Sequence, residues 1–316
     1  MSDIEIHPVN SVNIKVSCDR SIAKELSDFF TFAVPNFRYI PAYRNKMWDG
    51  QIRLYNIHTQ NIYYGLEDYV LNFAKDRNYT LTNHITKTKL IASKKDVRLY
   101  INEKIKPTVG GSIIKPHDHQ IDAITYAINK KRCLLLSPTG SGKSLIIYAL
   151  MQHYQNILPE DKKILIIVPT TGLVSQMYND FKDYSSKTNW DVNENCHFIY
   201  AGQDKVTEKK VVISTWQSIY KLPAKHFEQY GAVFGDECHL FKAKSLTTLM
   251  TKLTDCPYRI GTTGTLDGTF THKLVIEGLF GRVYNVTSTN KLIEKNLLSK
   301  LEIECINLQY STKDIE

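Results

Sequence analysis

Hydrophobic positions follow two rhythms along the chain, and the change between them divides it. Up to about residue 105 the apolar segments are short and amphipathic. "VNIKVS" (12–17) alternates like a half-buried strand, and "QIRLYNI" (51–57), "NIYYG" (61–65) and "DVRLYI" (96–101) predict further strands. "SIAKELSDFFTF" spaces Ile22, Leu26, Phe29 and Phe30 as one helical face does, and "LEDYVLNFAKDRN" does the same with Leu66, Tyr69, Val70 and Phe73. In "NEKIKPTVGGSIIK" (102–115), Pro107, Gly110, Gly111 and Ser112 break any regular element. From residue 116 the apolar runs become continuous: "CLLLS", "ILIIV", "HFIY", "VVIS", "AVFGD" and "YRIG". Strands buried on both faces read this way, as in a parallel sheet covered by helices. The pattern predicts an α/β protein: a small α+β N-terminal domain (1–105), a linker (106–115), a domain with a mostly parallel sheet covered by helices (116–285) and a trailing connector (286–316).

Composition narrows the class. The chain has 316 residues, 42% hydrophobic and 23% charged, as soluble globular proteins do. No apolar run approaches the roughly 20 residues needed to span a bilayer, so no membrane partner is expected. "MSDIEIHPVN" lacks the basic start and apolar core of a signal peptide, and a cytoplasmic location is expected. The six cysteines are scattered without the close pairs of a zinc site or disulfide framework. The net charge is +8, and residues 1–115 hold most of it, with 17 Lys/Arg against 11 Asp/Glu. A basic front third points towards a polyanionic partner.

Two segments carry chemistry. In "LLLSPTGSGKSLIIYAL" a buried strand ends at Ser137, a loop of Thr139, Gly140, Ser141 and Gly142 follows, and Lys143 and Ser144 open a helix. Small residues let backbone N–H groups curl around phosphates at a helix N-terminus. Lys143 would reach the β- and γ-phosphates, and the Ser144 hydroxyl would bind Mg²⁺. The strict pattern has Gly where this chain has Ser137. In "AVFGDECHLF" two acids follow a buried strand, at the sheet edge where ligands bind. Asp236 is placed to hold Mg²⁺, partly through water, and Glu237 to orient the attacking water of a bound ATP.

A third segment, "RYIPAYRNKMWDGQIRLY" (38–55), is basic and aromatic around Asp49-Gly50. That dipeptide predicts a two-residue hairpin. Pairing Trp48 with Gln51 and Lys46 with Arg53 would put Met47, Ile52 and Leu54 on a packed face. Arg44, Lys46, Trp48, Arg53 and Tyr55 would lie on the other, as a nucleic-acid contact with cations on phosphates and Trp48 on a base. The alternative is that Trp48 and Tyr55 finish a small core.

The motifs together resemble those of superfamily 2 helicases. "DECH" (236–239) is similar to the DExH box, "IVPTTGLVSQ" (167–176) to motif Ia, "STWQS" (214–218) to motif Ib and "GTTGT" (261–265) to motif III, in that family's order. The resemblance implies a RecA-like lobe in which Gln120 reads adenine. It also implies that Thr170, Gln176, Thr215 and Ser218 contact the nucleic-acid backbone. Thr263, Gly264 and Thr265, with His239, would couple nucleotide state to the strand. With the front segment included, the chain looks like the recombination helicases of T-even bacteriophages, and more distantly like restriction-enzyme and RecG groups. This implies a monomeric, ATP- and Mg-dependent DNA helicase or translocase, in a host cytoplasm. It would remodel branched DNA and RNA–DNA hybrids in recombination, repair and replication. The second motor lobe of such helicases, with its arginine finger, has no counterpart before Glu316. An N-terminal portion with slow turnover and no unwinding is therefore expected. Two other readings are a nucleotide-responsive DNA-binding module without motor activity and the motor subunit of a restriction system.

Overall fold

The computed structural model describes residues 2–34, 36–86, 90–200, 202–240, 243–266, 270–300 and 304–306. Its front part contains β1 (Ile4–Pro8), β2 (Asn13–Cys18), α1 (Arg20–Phe29), β3 (Thr31–Ala33), α2 (Pro41–Arg44), β4 (Gln51–Arg53), β5 (Asn61–Tyr63), α3 (Glu67–Asp76), β6 (Leu81–Asn83) and α4 (Lys94–Tyr100). A four-stranded sheet runs β5-β2-β1-β6, with β1 antiparallel to β2 and parallel to β6. Alternation puts Ile4, Ile6, Ile14 and Val16 on its buried face. Against it lie α1, through Ile22, Ala23 and Leu26, and α3, through Val70, Phe73 and Ala74. Asp19 caps α1 by accepting the Ile22 N–H at 2.9 Å.

Two sequence expectations fail here. "DVRLYI" is helical, because Ser93 and Asp96 form a reciprocal capping box that starts α4. The hairpin at Asp49-Gly50 does not form. Pro41 opens α2 instead, a position where its missing N–H costs nothing, and β4 pairs with β3. Met47 is consequently 81% exposed rather than packed, and the Lys46–Arg53 pairing is absent.

Between the two parts, β7 (Thr108–Val109) and β8 (Ser112–Ile113) form a short hairpin. Gly110 and Gly111, both at positive φ, supply its turn, so the stretch read as irregular contains a tight ribbon.

The second part comprises α5 (Asp118–Lys130), β9 (Arg132–Leu136), α6 (Lys143–Ile157), β10 (Lys163–Val168), α7 (Thr171–Tyr184), α8 (Val192–Asn195), β11 (Cys196–Ile199), β12 (Val211–Thr215), α9 (Trp216–Ile219), α10 (Ala224–Phe227), β13 (Tyr230–Gly235), α11 (Ala243–Met250), β14 (Tyr258–Thr263), α12 (Phe270–Phe280), β15 (Val283–Asn285) and α13 (Thr289–Glu294). Seven parallel strands run β11-β12-β10-β13-β14-β9-β15. Five of the six continuous apolar runs are its inner strands, buried on both faces, while "HFIY" falls on the edge strand β11 and is only partly buried. Arg259 of β14 is fully buried, and its guanidinium donates to the carbonyl oxygens of Met250, Leu253, Cys256 and Leu279. It thereby satisfies the open C-terminal ends of α11 and α12, which would otherwise be buried without partners. Of the expected connector, α13 is present with Leu292 buried, while residues 301–303 and 307–316 lie outside the described residues.

The front sheet and the parallel sheet share one apolar cluster, in which Leu66 and Phe73 join Leu274 and Phe280. The chain at Gly65 runs against the backbone of α12, so close that a Cβ there would overlap the carbonyl oxygen of Glu277. Tyr69 donates to the buried Glu277 carboxylate at 2.5 Å. The Arg132 guanidinium lies 3.9 Å from the Tyr64 ring centre and donates to the Ser11 carbonyl at 3.0 Å. A Gly65→Ala variant is expected to lose about 1–3 kcal/mol of stability, the usual cost of overpacking. Thermal melting would measure this, and a wild-type melting temperature would mean the two parts are not packed this closely.

Candidate nucleotide and nucleic-acid site

The chemistry-bearing loops hang from the C-terminal ends of adjacent strands. The phosphate-loop sequence follows β9, motif Ia follows β10, motif Ib follows β12, Asp236 follows β13 and the 261–265 segment ends β14. A parallel sheet presents all these ends at one edge.

In the loop after β9, Gly140 and Gly142 have φ of +79° and +80°, a conformation that admits glycine readily. A Cβ at Gly142 would also overlap the Gln120 amide. His119 Nε2 and Gln120 Nε2 each donate to the Ser141 carbonyl at 3.0 Å, and Gln120 Oε1 accepts the His117 N–H at 2.9 Å. Gln120 is thus buried with both ends of its amide engaged by the protein; the side chain expected to read adenine braces the loop. Burial pushes the His119 pKa down, which favours the neutral imidazole. The serine in place of glycine also finds a use: Ser137 is fully buried and its hydroxyl meets that of Ser141 at 2.6 Å.

Opposite this loop, Lys143 and Glu237 form an ion pair at 2.8 Å, both largely buried. Lys143 also donates to the Ser137 carbonyl at 3.3 Å. Glu237 has φ +47°, uncommon outside glycine and a strained geometry that recurs at functional sites. The Gly264 N–H holds its other oxygen at 3.2 Å. Asp236 is 8% exposed and accepts from Thr262 at 2.7 Å. Burial pushes its carboxyl pKa up, and the Thr262 hydroxyl opposes that shift. His239 Nδ1 lies 2.6 Å from Thr263 Oγ1. Since that hydroxyl donates to the Thr265 carbonyl at 2.7 Å, it must accept from His239. The acidic segment and the 261–265 segment are therefore joined by hydrogen bonds. Thr262, His119 and Tyr184, whose hydroxyl sits 2.9 Å from Ser144 Oγ, were not singled out from sequence. Thr262 lies inside the quoted 261–265 motif and His119 stands next to Gln120, whereas nothing local marks Tyr184.

Motifs Ia and Ib also meet. Thr170 caps α7 by accepting the Leu173 N–H at 3.3 Å, and Gln176 is exposed on that helix. Gln217 donates to the Pro169 carbonyl at 3.1 Å, and Thr215, only 4% exposed, bonds to Ser218 at 2.8 Å.

In the front part, Arg44, Lys46 and Trp48 come together with Arg38, Tyr43 and Met47 around an open groove of about 650 Å³. Arg53 does not line it, being paired with Asp49 at 2.5 Å. Tyr55 is removed altogether: it is 1% exposed, with its hydroxyl donated to the Val16 carbonyl at 3.1 Å. The core alternative holds for Tyr55, whereas Trp48 stays partly buried and donates to the Gln51 carbonyl at 2.9 Å.

Residues 3–83 match the family model described as DNA helicase UvsW, N-terminal, and residues 113–268 match that of the type III restriction enzyme res subunit. The chain is 32% identical over 314 residues to the ATP-dependent DNA helicase uvsW of Enterobacteria phage T4, an alignment covering 98% of this chain and 61% of that protein. The chain thus spans about three-fifths of the length of that relative. A crystal structure of the UvsW helicase from bacteriophage T4 superposes with a TM-score of 0.80 at 32% identity, covering 90% of this chain and 99% of that one. A second T4 UvsW structure gives 0.82 at 31%, covering 90% and 57%. With both parts of the chain matched and a UvsW structure covered over 99% of its length at 32% identity, the chain belongs to the UvsW helicase family.

Proposed function

We propose that the protein uses ATP to drive remodelling of branched DNA and of RNA–DNA hybrids. In this reading the loop 139–142 cradles the phosphates, and Lys143 exchanges Glu237 for the γ-phosphate. Glu237, released, orients the attacking water. Ser144 and Asp236 suit Mg²⁺: a hydroxyl and a carboxylate are hard oxygen donors, and the ionisation that burial opposes at Asp236 is what a divalent cation would favour. The ion, when bound, supplies neutralisation of phosphate charge. His239 and Thr263 couple the nucleotide to motifs Ia and Ib, where Thr170, Gln176, Thr215 and Ser218 follow the DNA backbone.

The observation that carries this reading is the meeting of phosphate loop, acidic pair and backbone-contact motifs at one sheet edge. The front groove gives it a substrate. Arg38, Arg44 and Lys46 can take phosphates, and Tyr43 and Trp48 can stack on bases at a junction. The restriction-motor reading is disfavoured because residues 3–83 match the UvsW N-terminal family.

Forked DNA is expected to bind more tightly than linear duplex and to stimulate ATP hydrolysis. A Trp48→Ala, Arg44→Ala variant should bind forks about tenfold more weakly or worse, from lost stacking and charge. Exposed Arg44→Ala, Lys46→Ala should reduce the salt dependence of binding by about 1 per cation removed. Fluorescence anisotropy at two salt concentrations checks both. Wild-type fork affinity in both variants would remove the groove from the substrate path.

A further inference from the structure

The last residue of α7 reaches the second residue of α6. Tyr184 Oη lies 2.9 Å from Ser144 Oγ, and the tyrosine is not a loose surface group. Its ring packs 5.5 Å from the ring of Tyr148, which is 1% exposed and also holds Phe181 and Trp190. The helix end is fixed as well. The Asp183 carboxylate accepts the Gly110 N–H at 3.0 and 3.1 Å, and the Asp183 carbonyl accepts the Thr108 hydroxyl. The hairpin between the two parts of the chain therefore holds the turn that carries Tyr184.

A serine hydroxyl has one proton and two lone pairs. To ligate a cation it must turn a lone pair to the ion and its proton away, onto an acceptor. We propose that Tyr184 is a positioning residue: its phenol oxygen accepts the Ser144 proton, fixing the hydroxyl with a lone pair free for the divalent cation that accompanies the nucleotide. This rests on the nucleotide-site reading above. Asp180, one turn earlier on α7, is the competing acceptor; its carboxyl is pushed up by burial and lowered by the Ser144 hydroxyl.

The test compares binding of a fluorescent ADP analogue in Mg²⁺ and in EDTA. Tyr184→Phe removes one oxygen and keeps the ring. It should weaken Mg²⁺-supported binding about three- to tenfold, the worth of one hydrogen bond, and raise the Mg²⁺ midpoint, while binding in EDTA is unchanged. Ser144→Ala should lose the Mg²⁺ increment altogether. An equal loss in both conditions would show a merely structural role and overturn the proposal. So would a wild-type Mg²⁺ midpoint in Tyr184→Phe, or a loss seen with Asp180→Asn and not with Tyr184→Phe. Failure of the wild-type protein to bind the analogue at all would overturn the nucleotide-site reading itself, and this proposal with it.

Discussion

Glu237→Gln is expected to slow cleavage of bound ATP by about two to four orders of magnitude, the range for a group that activates water, without weakening nucleotide binding. The two halves of this expectation come from the same contact. Glu237 now neutralises Lys143 at 2.8 Å, so nucleotide must displace it to reach the lysine. The amide keeps the shape and the hydrogen bond from Gly264 but loses the charge that holds Lys143 back. Affinity should therefore rise or stay level while chemistry stops. Single-turnover hydrolysis and analogue binding, measured side by side, would check it. Normal hydrolysis in the variant would remove Glu237 from the chemistry.

Asp236→Asn should lose the Mg²⁺-dependent part of nucleotide binding and yet melt higher than wild type. Burial raises the folded-state carboxyl above its unfolded value. The protonated form is thus the stabilising one, and stability falls as pH rises through the folded pKa. At neutral pH the ionised, buried Asp236 is a cost that asparagine does not carry, and the Thr262 hydroxyl can still donate to the amide oxygen. A gain on the order of 1 kcal/mol, a usual size for one site, would raise Tm by roughly 1–2 °C. The gain should vanish in acid, where aspartate itself is protonated. Melting curves at neutral and acidic pH test the sign, and a lower Tm at neutral pH would contradict it.

The parallel sheet and the nucleotide loops were legible in the sequence for one reason. Runs such as 164–168 and 211–213 are apolar because both faces are covered, and the loops after their strands emerge at a common edge. The front segment was less legible, because its structure is decided by distant partners. Tyr55 is claimed by the Val16 carbonyl 39 residues away, and β4 by β3 across the whole of α2. Asp49 accepts the Gln51 N–H at 3.1 Å in a local side-chain turn, a use of aspartate that competes with the hairpin. The box at Ser93 and Asp96 was readable and points to a helix. Tyr184 was not readable, since only tertiary packing brings it to Ser144.

Gly65 has a mechanical meaning as well as a steric one. With Gly65 seated on the α12 backbone and Tyr69 bonded to buried Glu277, the groove of Arg44 and Trp48 has a fixed bearing and distance from the phosphate loop. On the reading proposed above, a junction held there would be presented to the phosphate loop at a set angle, not trailed on a tether. Selectivity among DNA structures would then be a matter of protractor-like fit: a fork whose arms diverge at the right angle reaches both places at once, and a straight duplex reaches only one.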